Sequence, residues 1–240
     1  MRLDPLPGIP EVRPGDDLAA LLRDRVELGP GDILVIAHKV VSKAEGRVRR
    51  LADIEPSERA AELAAEHDKD PRHVQAILDE TAELLRADHG RLICRTRHGF
   101  VCANAGVDQS NTGEPDTLVL LPEDPDASAG ALREALGVGA VVITDSWGRP
   151  WRQGQVEVAV GSAGLRVLVD HRGWPDRDGR DMAASIIAIA DEVAAAADLV
   201  RKKASGEPAV RVRGLEELVI DENQDGAAAL VRPPEDDLFR

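Results

Sequence analysis

The chain has 240 residues, 43% hydrophobic and 31% charged, with a formal net charge of −14. That length suits one large domain or two small ones sharing a core. The acidic balance disfavours nonspecific nucleic-acid binding, and with no Tyr, two Phe and three Trp there are few rings for a base-stacking platform. No apolar stretch reaches the ~18 residues of a membrane span. The N-terminus, Met1 to Pro5, lacks the apolar core of a signal peptide, so no membrane partner and a cytoplasmic location are expected.

Gly15-Asp16-Asp17 ahead of Leu18, Leu21, Leu22 and Val26 predicts an Asp-capped helix. Gly29-Pro30-Gly31 is a turn signal, and Ile33 to Ala37 reads as a short buried strand. Helices are predicted over 57–66 and 71–87. Asp70 is the N-cap of the second, Pro71 takes its first position, and Val74, Ile77, Leu78, Thr81, Leu84 and Leu85 form its inner face. Strands are expected at 91–95, 100–103 and 118–121, a helix at 127–136 and a strand at 140–143. Two further strands, 156–160 and 165–169, are read as joined by a turn at Gly161-Ser162-Ala163-Gly164. A long Ala-rich helix is predicted over 181–200, and Val210 and Val212 alternate with Arg as in a half-exposed strand. The tail at 233–237 reads as a poorly ordered end. Strands and helices do not alternate regularly, which favours α+β, with mixed or antiparallel sheets and flanking helices, over a doubly wound sheet. Cys94 and Cys102 both lie in apolar runs and are expected to be buried free thiols.

Three segments carry candidate chemistry. His38 to Arg47 follows a strand and supplies Lys39, Ser42, Lys43 and Gly46, groups that hold phosphate oxygens by charge and by backbone N–H. It lacks Walker A spacing, and the plainer reading is a solvated basic loop. Asn104 to Asn111 places Asp108 three residues before Asn111, behind a glycine that permits a sharp turn. Its plainer reading is an Asx-turn. Thr144 to Trp151 puts Asp145 and Ser146 at the end of an apolar run, followed by Arg149, Arg152 and Gln155 and flanked by Trp147 and Trp151. Its plainer reading is a capped turn. One carboxylate among small polar residues in each of the last two segments suits a hard cation such as Mg²⁺, which takes one or two carboxylates beside phosphate oxygens.

Gly31 to Arg47, Asn104 to Asn111 and Thr144 to Trp151 with Gly154-Gln155, in this order, resemble the coenzyme F420-0:L-glutamate ligase family. The resemblance runs to about Gly214. It implies a GTP-dependent ligase that activates a carboxylate of coenzyme F420-0 as an acyl phosphate, joins L-glutamate to it, and adds further glutamates through γ-linkages. It also implies a divalent metal, Mg²⁺ or Mn²⁺ at two sites, a monovalent cation such as K⁺, and a family-specific fold forming an intertwined homodimer. By position, Asp108 and Asp145 match the catalytic ligands of the first metal, and Ser146 matches a ligand of the second. Ile9, Pro10, Glu11, Val12, His38, Lys39, Lys43 and Asn111 match GTP-contacting positions. The choice of guanine over adenine rests on the resemblance alone.

The chain departs from the family at Arg201 to Pro208, where relatives carry a Met-Gly-Lys or Gly-Gln type stretch that closes on the nucleotide. Many actinobacterial relatives continue into a flavin-reductase-like domain; residues 1–240 read as a single ligase domain without it, with two interlocked subdomains as the alternative reading. Two other readings remain beside the ligase: the same chemistry on another phosphorylated acid acceptor, and a nucleotide-binding partner that has lost catalysis, whose support is the altered Arg201–Lys203 stretch.

Overall fold

The computed structural model describes residues 1–202, 205–221 and 226–237, and its fold is mixed α+β. In chain order, β1 (Arg2–Pro5) leads to α1 (Leu18–Arg23), whose N-cap Asp17 accepts a hydrogen bond from the Ala20 amide. β2 (Ile33–Ala37) runs directly into α2 (His38–Ala44), and β3 (Val48–Arg50) follows. α3 (Glu58–His67) is capped by Ser57 and α4 (Pro71–Asp79) by Asp70, with Pro71 at its first position. β4 (Thr81–Asp88), β5 (Arg91–Thr96), β6 (Val101–Ala103) and β7 (Thr117–Val119) precede α5 (Pro125–Leu136). β8 (Ala140–Arg149) and β9 (Arg152–Ala163) form a long hairpin. The short ribbon of β10 (Leu168–Asp170) and β11 (Ile186–Ala188) leads into α6 (Ile189–Arg201), and β12 (Ala209–Arg213) follows. Among the described residues, no helix is long and apolar enough to cross a membrane.

The central sheet has the order β1-β12-β2-β8-β9, with β2 and β8 parallel and the other pairs antiparallel. β2 and the first half of β8 read as unbroken apolar runs because both faces are covered. Leu34, Ile36, Val141 and Ile143 pack with Leu18, Leu22, Ala129 and Leu132 of α1 and α5. Ile33, Val35, Ala140 and Val142 pack on the other side with Ala190, Val193 and Ala197 of α6. Fully burying such an aliphatic side chain stabilises by roughly 1.5–3 kcal/mol. A second core forms between α3, α4, β5 and β7, from Leu63, Val74, Ile77, Leu92, Cys94 and Leu118. Both cysteines are free and buried, and burial pushes the Cys102 thiol up to about 12.

Several elements differ from the sequence expectation. The segment 38–44 is a helix rather than a basic loop, with His38, Val41 and Ser42 buried on one face. The helix expected over 71–87 stops at Asp79. Thr81 to Asp88 instead form a strand, because pairing with β5 across the left-handed pair His89 (φ 48°) and Gly90 (φ 72°) satisfies their backbone better than continued helix. The turn expected at 161–164 lies largely within β9. Gly161 is there because α5 comes so close that a Cβ would sit 2.3 Å from the Pro125 carbonyl oxygen. The helix expected over 181–200 begins only at Ile189, since Ile186 and Ile187 are taken up by the ribbon with β10. The run 140–143 extends to Arg149, so Asp145 and Ser146 lie inside a strand and not beyond its end. The tail carries a short 3₁₀ turn at Pro234–Asp236.

Candidate functional site

The parallel pairing of β2 and β8 builds the site. Ala37 pairs with Thr144, the last pair of the parallel register, so the next residues, His38 and Asp145, emerge side by side where β2 ends and β8 runs on alone with β9. His38 is 1% exposed, and its Nε2 lies 3.4 Å from Asp145 Oδ1 while Nδ1 lies 3.3 Å from Ser42 Oγ. Asp145 is tied further: Oδ1 accepts from the Ser146 amide at 2.8 Å and Oδ2 from Trp147 Nε1 at 2.9 Å. Trp147 is held edge-on by Phe100, ring centroids 5.4 Å apart, and Phe100 stacks on His98. Burial would push the Asp145 carboxyl up, but His38, Trp147 and the Ser146 amide outweigh it and hold it at about 2.

Asp108 arrives from another part of the fold. Its backbone exchanges two hydrogen bonds with Val119, at 3.0 and 2.8 Å. Its side chain accepts from the Ser110 amide at 2.6 Å, so the Asx-turn reading holds as local geometry. The same turn also meets α2: Lys39 Nζ lies 2.5 Å from Asp108 Oδ2 and donates to the Ser110 carbonyl and hydroxyl oxygens at 3.0 and 2.8 Å. Burial pushes Asp108 up, and the Lys39 and Ser110 hydrogen bonds more than offset this, leaving it below the ordinary carboxylate range. Asp108 and Asp145 therefore contact consecutive residues at the start of α2, although 37 positions separate them in sequence.

A cavity of about 790 Å³ opens beside these groups, within the usual range for small-molecule sites. Ile9, Pro10, Glu11, Val12, His38, Lys39, Lys43, Asn111, Asp145 and Ser146 all line it. Asp108 stands just behind, joined to it through Lys39 and Ser110. Lys43, on the next turn of α2, pairs with Glu11. Arg149 and Arg152 lie out on the exposed end of the β8–β9 hairpin and are not part of the cavity lining.

Sequence reasoning missed Glu157, Thr144 and Asp198, which also line the cavity. Glu157, 4% exposed, accepts a hydrogen bond from Ser146 Oγ and meets Arg201 at 2.5 Å. Arg201 also donates to Thr144 Oγ1 at 3.2 Å and lies 3.6 Å from Asp198. A lone carboxylate among alternating valines, Val156-Glu157-Val158, was the available signal. The divergent stretch thus supplies a buried structural cation at Arg201. Lys202, Ser205, Gly206, Glu207 and Pro208 follow along the cavity wall, and Lys203 and Ala204 lie outside the described residues.

Asp108, Asp145 and Ser146 are hard oxygen donors, and each carboxylate has lone pairs beyond the bonds named. They suit Mg²⁺ or Mn²⁺. Among the described residues no three or more His, Cys, Asp or Glu side chains form a ready metal cage.

Fold and cavity together define a class: an α+β protein with carboxylates and lysines gathered where the parallel register of β2 and β8 ends, chemically suited to an anionic ligand and a hard cation. Residues 8–214 match the profile of the F420-0:Gamma-glutamyl ligase family, and the chain belongs to that family. It is 48% identical over 247 residues to a coenzyme F420:L-glutamate ligase of Methanopyrus kandleri, covering 100% of this chain and 98% of the relative. It is 48% identical over 240 residues to the protein of that name from Natronomonas pharaonis, covering 97% and 92%. It is 45% identical over 244 residues to the one from Methanothermobacter thermautotrophicus, covering 97% and 96%.

Proposed function

We propose that this chain joins L-glutamate to coenzyme F420-0 at the expense of GTP, with further γ-linked glutamates added by the same chemistry. The observation that carries this reading is the meeting of Asp108 and Asp145 with His38 and Lys39 beside one cavity that Lys43 and Ser146 also line. The family match and the names of the relatives supply the acceptor and the amino acid. GTP, Mg²⁺ or Mn²⁺, K⁺ and an intertwined homodimer come with the resemblance.

In the proposed reaction a carboxylate oxygen of F420-0 attacks the γ-phosphorus, the β–γ bridge bond breaks and GDP leaves. The glutamate amine then attacks the acyl carbon of the acyl phosphate, inorganic phosphate departs, and the amine loses a proton. Two divalent ions would be held by Asp108 and Asp145 at the first site and by Ser146 at the second, and when bound they neutralise charge on the phosphates. Lys39 and Lys43 orient the phosphate oxygens by charge. To do so, Lys43 exchanges its partner Glu11 for the nucleotide, and Lys39 shares itself between Asp108 and the phosphates. His38, buried against Asp145, fixes that carboxylate from behind. Ile9 to Val12 close the cavity and pack on the nucleoside.

The test is product mass and nucleotide turnover with F420-0, L-glutamate, Mg²⁺ and either GTP or ATP. Glutamylated F420 formed with GTP, and GDP release that depends on both co-substrates, are expected. No mass increase with either nucleotide would overturn the reading.

A further inference from the structure

Side chains alternate along a strand, so β8 divides its site groups between two faces. Thr144 and Ser146 lie toward Glu157 and Arg201. Asp145 and Trp147 share the opposite face, where Phe100 packs edge-on against the indole, ring centroids 5.4 Å apart. The bonds of the Asp145 carboxylate can be counted there. Oδ1 is covered: the Ser146 amide donates to it at 2.8 Å, and the buried His38 ring stands 3.4 Å away. Oδ2 accepts one bond, from Trp147 Nε1 at 2.9 Å. A carboxylate oxygen has two lone-pair sites, so Oδ2 keeps one open, and Asp145 lines the cavity. The torsion that turns an Asp carboxylate is broad and roughly two-fold, so rotamer preference does not aim that lone pair. The N–H groups bound to the two opposite oxygens do.

Trp147 stands outside the cavity lining, half-buried against the core. Packing alone would be served by Phe or Leu. Indole adds an edge N–H that only donates, so it holds the carboxylate and brings no acceptor to compete for a cation. The other two tryptophans, Trp151 and Trp174, are 80% and 58% exposed. We propose that Trp147 is a positioning residue for the first divalent cation: its indole N–H fixes the plane of the Asp145 carboxylate and leaves the remaining Oδ2 lone pair to the ion. This rests on the proposed reading of Asp145 as a ligand of that ion. Trp147 acts through Asp145 and contacts neither the ion nor a substrate.

Trp147→Phe keeps a ring beside Phe100 and removes the N–H, so the carboxylate is held at one oxygen and swings. Mn²⁺ titrations of the GTP-saturated full chain, followed by electron paramagnetic resonance, compare the wild type, Trp147→Phe, Asp145→Ala and the double variant, with melting curves for each. Loss of a partner that orients a metal ligand typically weakens metal binding by about 10–100-fold. A loss of that size at the tightest Mn²⁺ site is expected for Trp147→Phe. Added to Asp145→Ala, the same change should cost nothing further, because the carboxylate it acts on is gone. Wild-type affinity in Trp147→Phe, or tighter binding, overturns the proposal. So does an equal loss in both backgrounds, which would mean that Trp147 acts by packing. Should Trp147→Phe not fold, benzothienylalanine at position 147, with sulfur in place of the N–H, keeps the shape of the ring. The same loss is expected there, and wild-type affinity overturns the proposal. An Asp145→Ala protein that binds Mn²⁺ as tightly as the wild type removes Asp145 from the ion and this inference with it. A wild type that binds no Mn²⁺ with GTP overturns the metal reading as a whole.

Discussion

The two walls of the cavity are built differently. One wall is regular structure: α2 carries His38, Lys39 and Lys43, while β8 and β9 carry Asp145, Ser146 and Glu157 in register across a hairpin. The other wall is irregular chain, made of Ile9 to Val12, the turn through Ser110 and Asn111, Lys202, and the stretch from Ser205 to Pro208. In the first wall His38 and Glu157 are buried; Glu11, on the second, has a side chain 57% exposed and touches the first wall through Lys43. The proposed reaction uses this division. Two of the three proposed metal ligands, Asp145 and Ser146, and both lysines sit on rigid elements, while Asp108 comes from a turn tied to α2 by Lys39. Groups that admit and release a nucleotide sit on loops.

If that division is right, damage to the rigid wall should abolish chemistry and damage to the loop-facing contacts should weaken binding. The largest effect is expected for Asp145→Asn: GTP turnover falls by at least about 10²–10³-fold with the circular dichroism spectrum preserved. Near-normal turnover in that variant would take Asp145 out of the metal site. Arg201→Met comes next. It leaves Glu157 buried without its cation and should destabilise the protein by about 3–5 kcal/mol in a urea titration, and Glu157→Gln added to it should restore most of that. Lys43→Ala should raise the GTP dissociation constant roughly tenfold with a smaller change in kcat, a loss of about 1.4 kcal/mol of binding. Equal losses in kcat and kcat/KM would instead place Lys43 with the rigid, chemistry-bearing groups.

A smaller effect lies outside the cavity. Asp70 caps α4 through the Arg72 amide and pairs with the Arg72 guanidinium, which together with that amide hold its carboxyl at about 2. Asp70→Ala should cost about 1 kcal/mol at pH 7. A folded-state value below the ordinary 3.8 means the contribution is complete above about pH 4 and fades as pH falls through 2. The gap between wild-type and variant stability should therefore close in acid and not in alkali. The smallest change is none: native Cys94 and Cys102 should resist alkylation at pH 8, because both thiols are buried and pushed toward the protonated form.

Much of the rigid wall was legible in the amino-acid order. The strand at 33–37 was readable as an apolar run, and Asp145 and Asp108 stood out as single carboxylates among small polar residues after apolar runs; the fold brings both to the start of α2. Local capping was equally plain at Asp17 and Asp70, where one side chain decides the start of a helix. What the order concealed was pairing. Thr81 to Asp88 carry a helical pattern, yet the neighbouring strand β5 claims their backbone. Glu157 is silent until the register sets it opposite Ser146, and Arg201 reads as an anomaly until α6 delivers it to Glu157. The helix at 38–44 was readable from His38, Val41 and Ser42 at helical spacing, a signal masked by two lysines that resemble a solvated loop.

The central claim is that Asp108 and Asp145 share one divalent ion that also touches the nucleotide. Anomalous diffraction from crystals grown with Mn²⁺ and GTP tests it most directly. The account predicts a Mn²⁺ peak within bonding distance of both carboxylates and of a phosphate oxygen, with Lys39 shared between Asp108 and the phosphates. Ordered GTP with Mn²⁺ on the phosphates and no ion within bonding distance of either aspartate would contradict it.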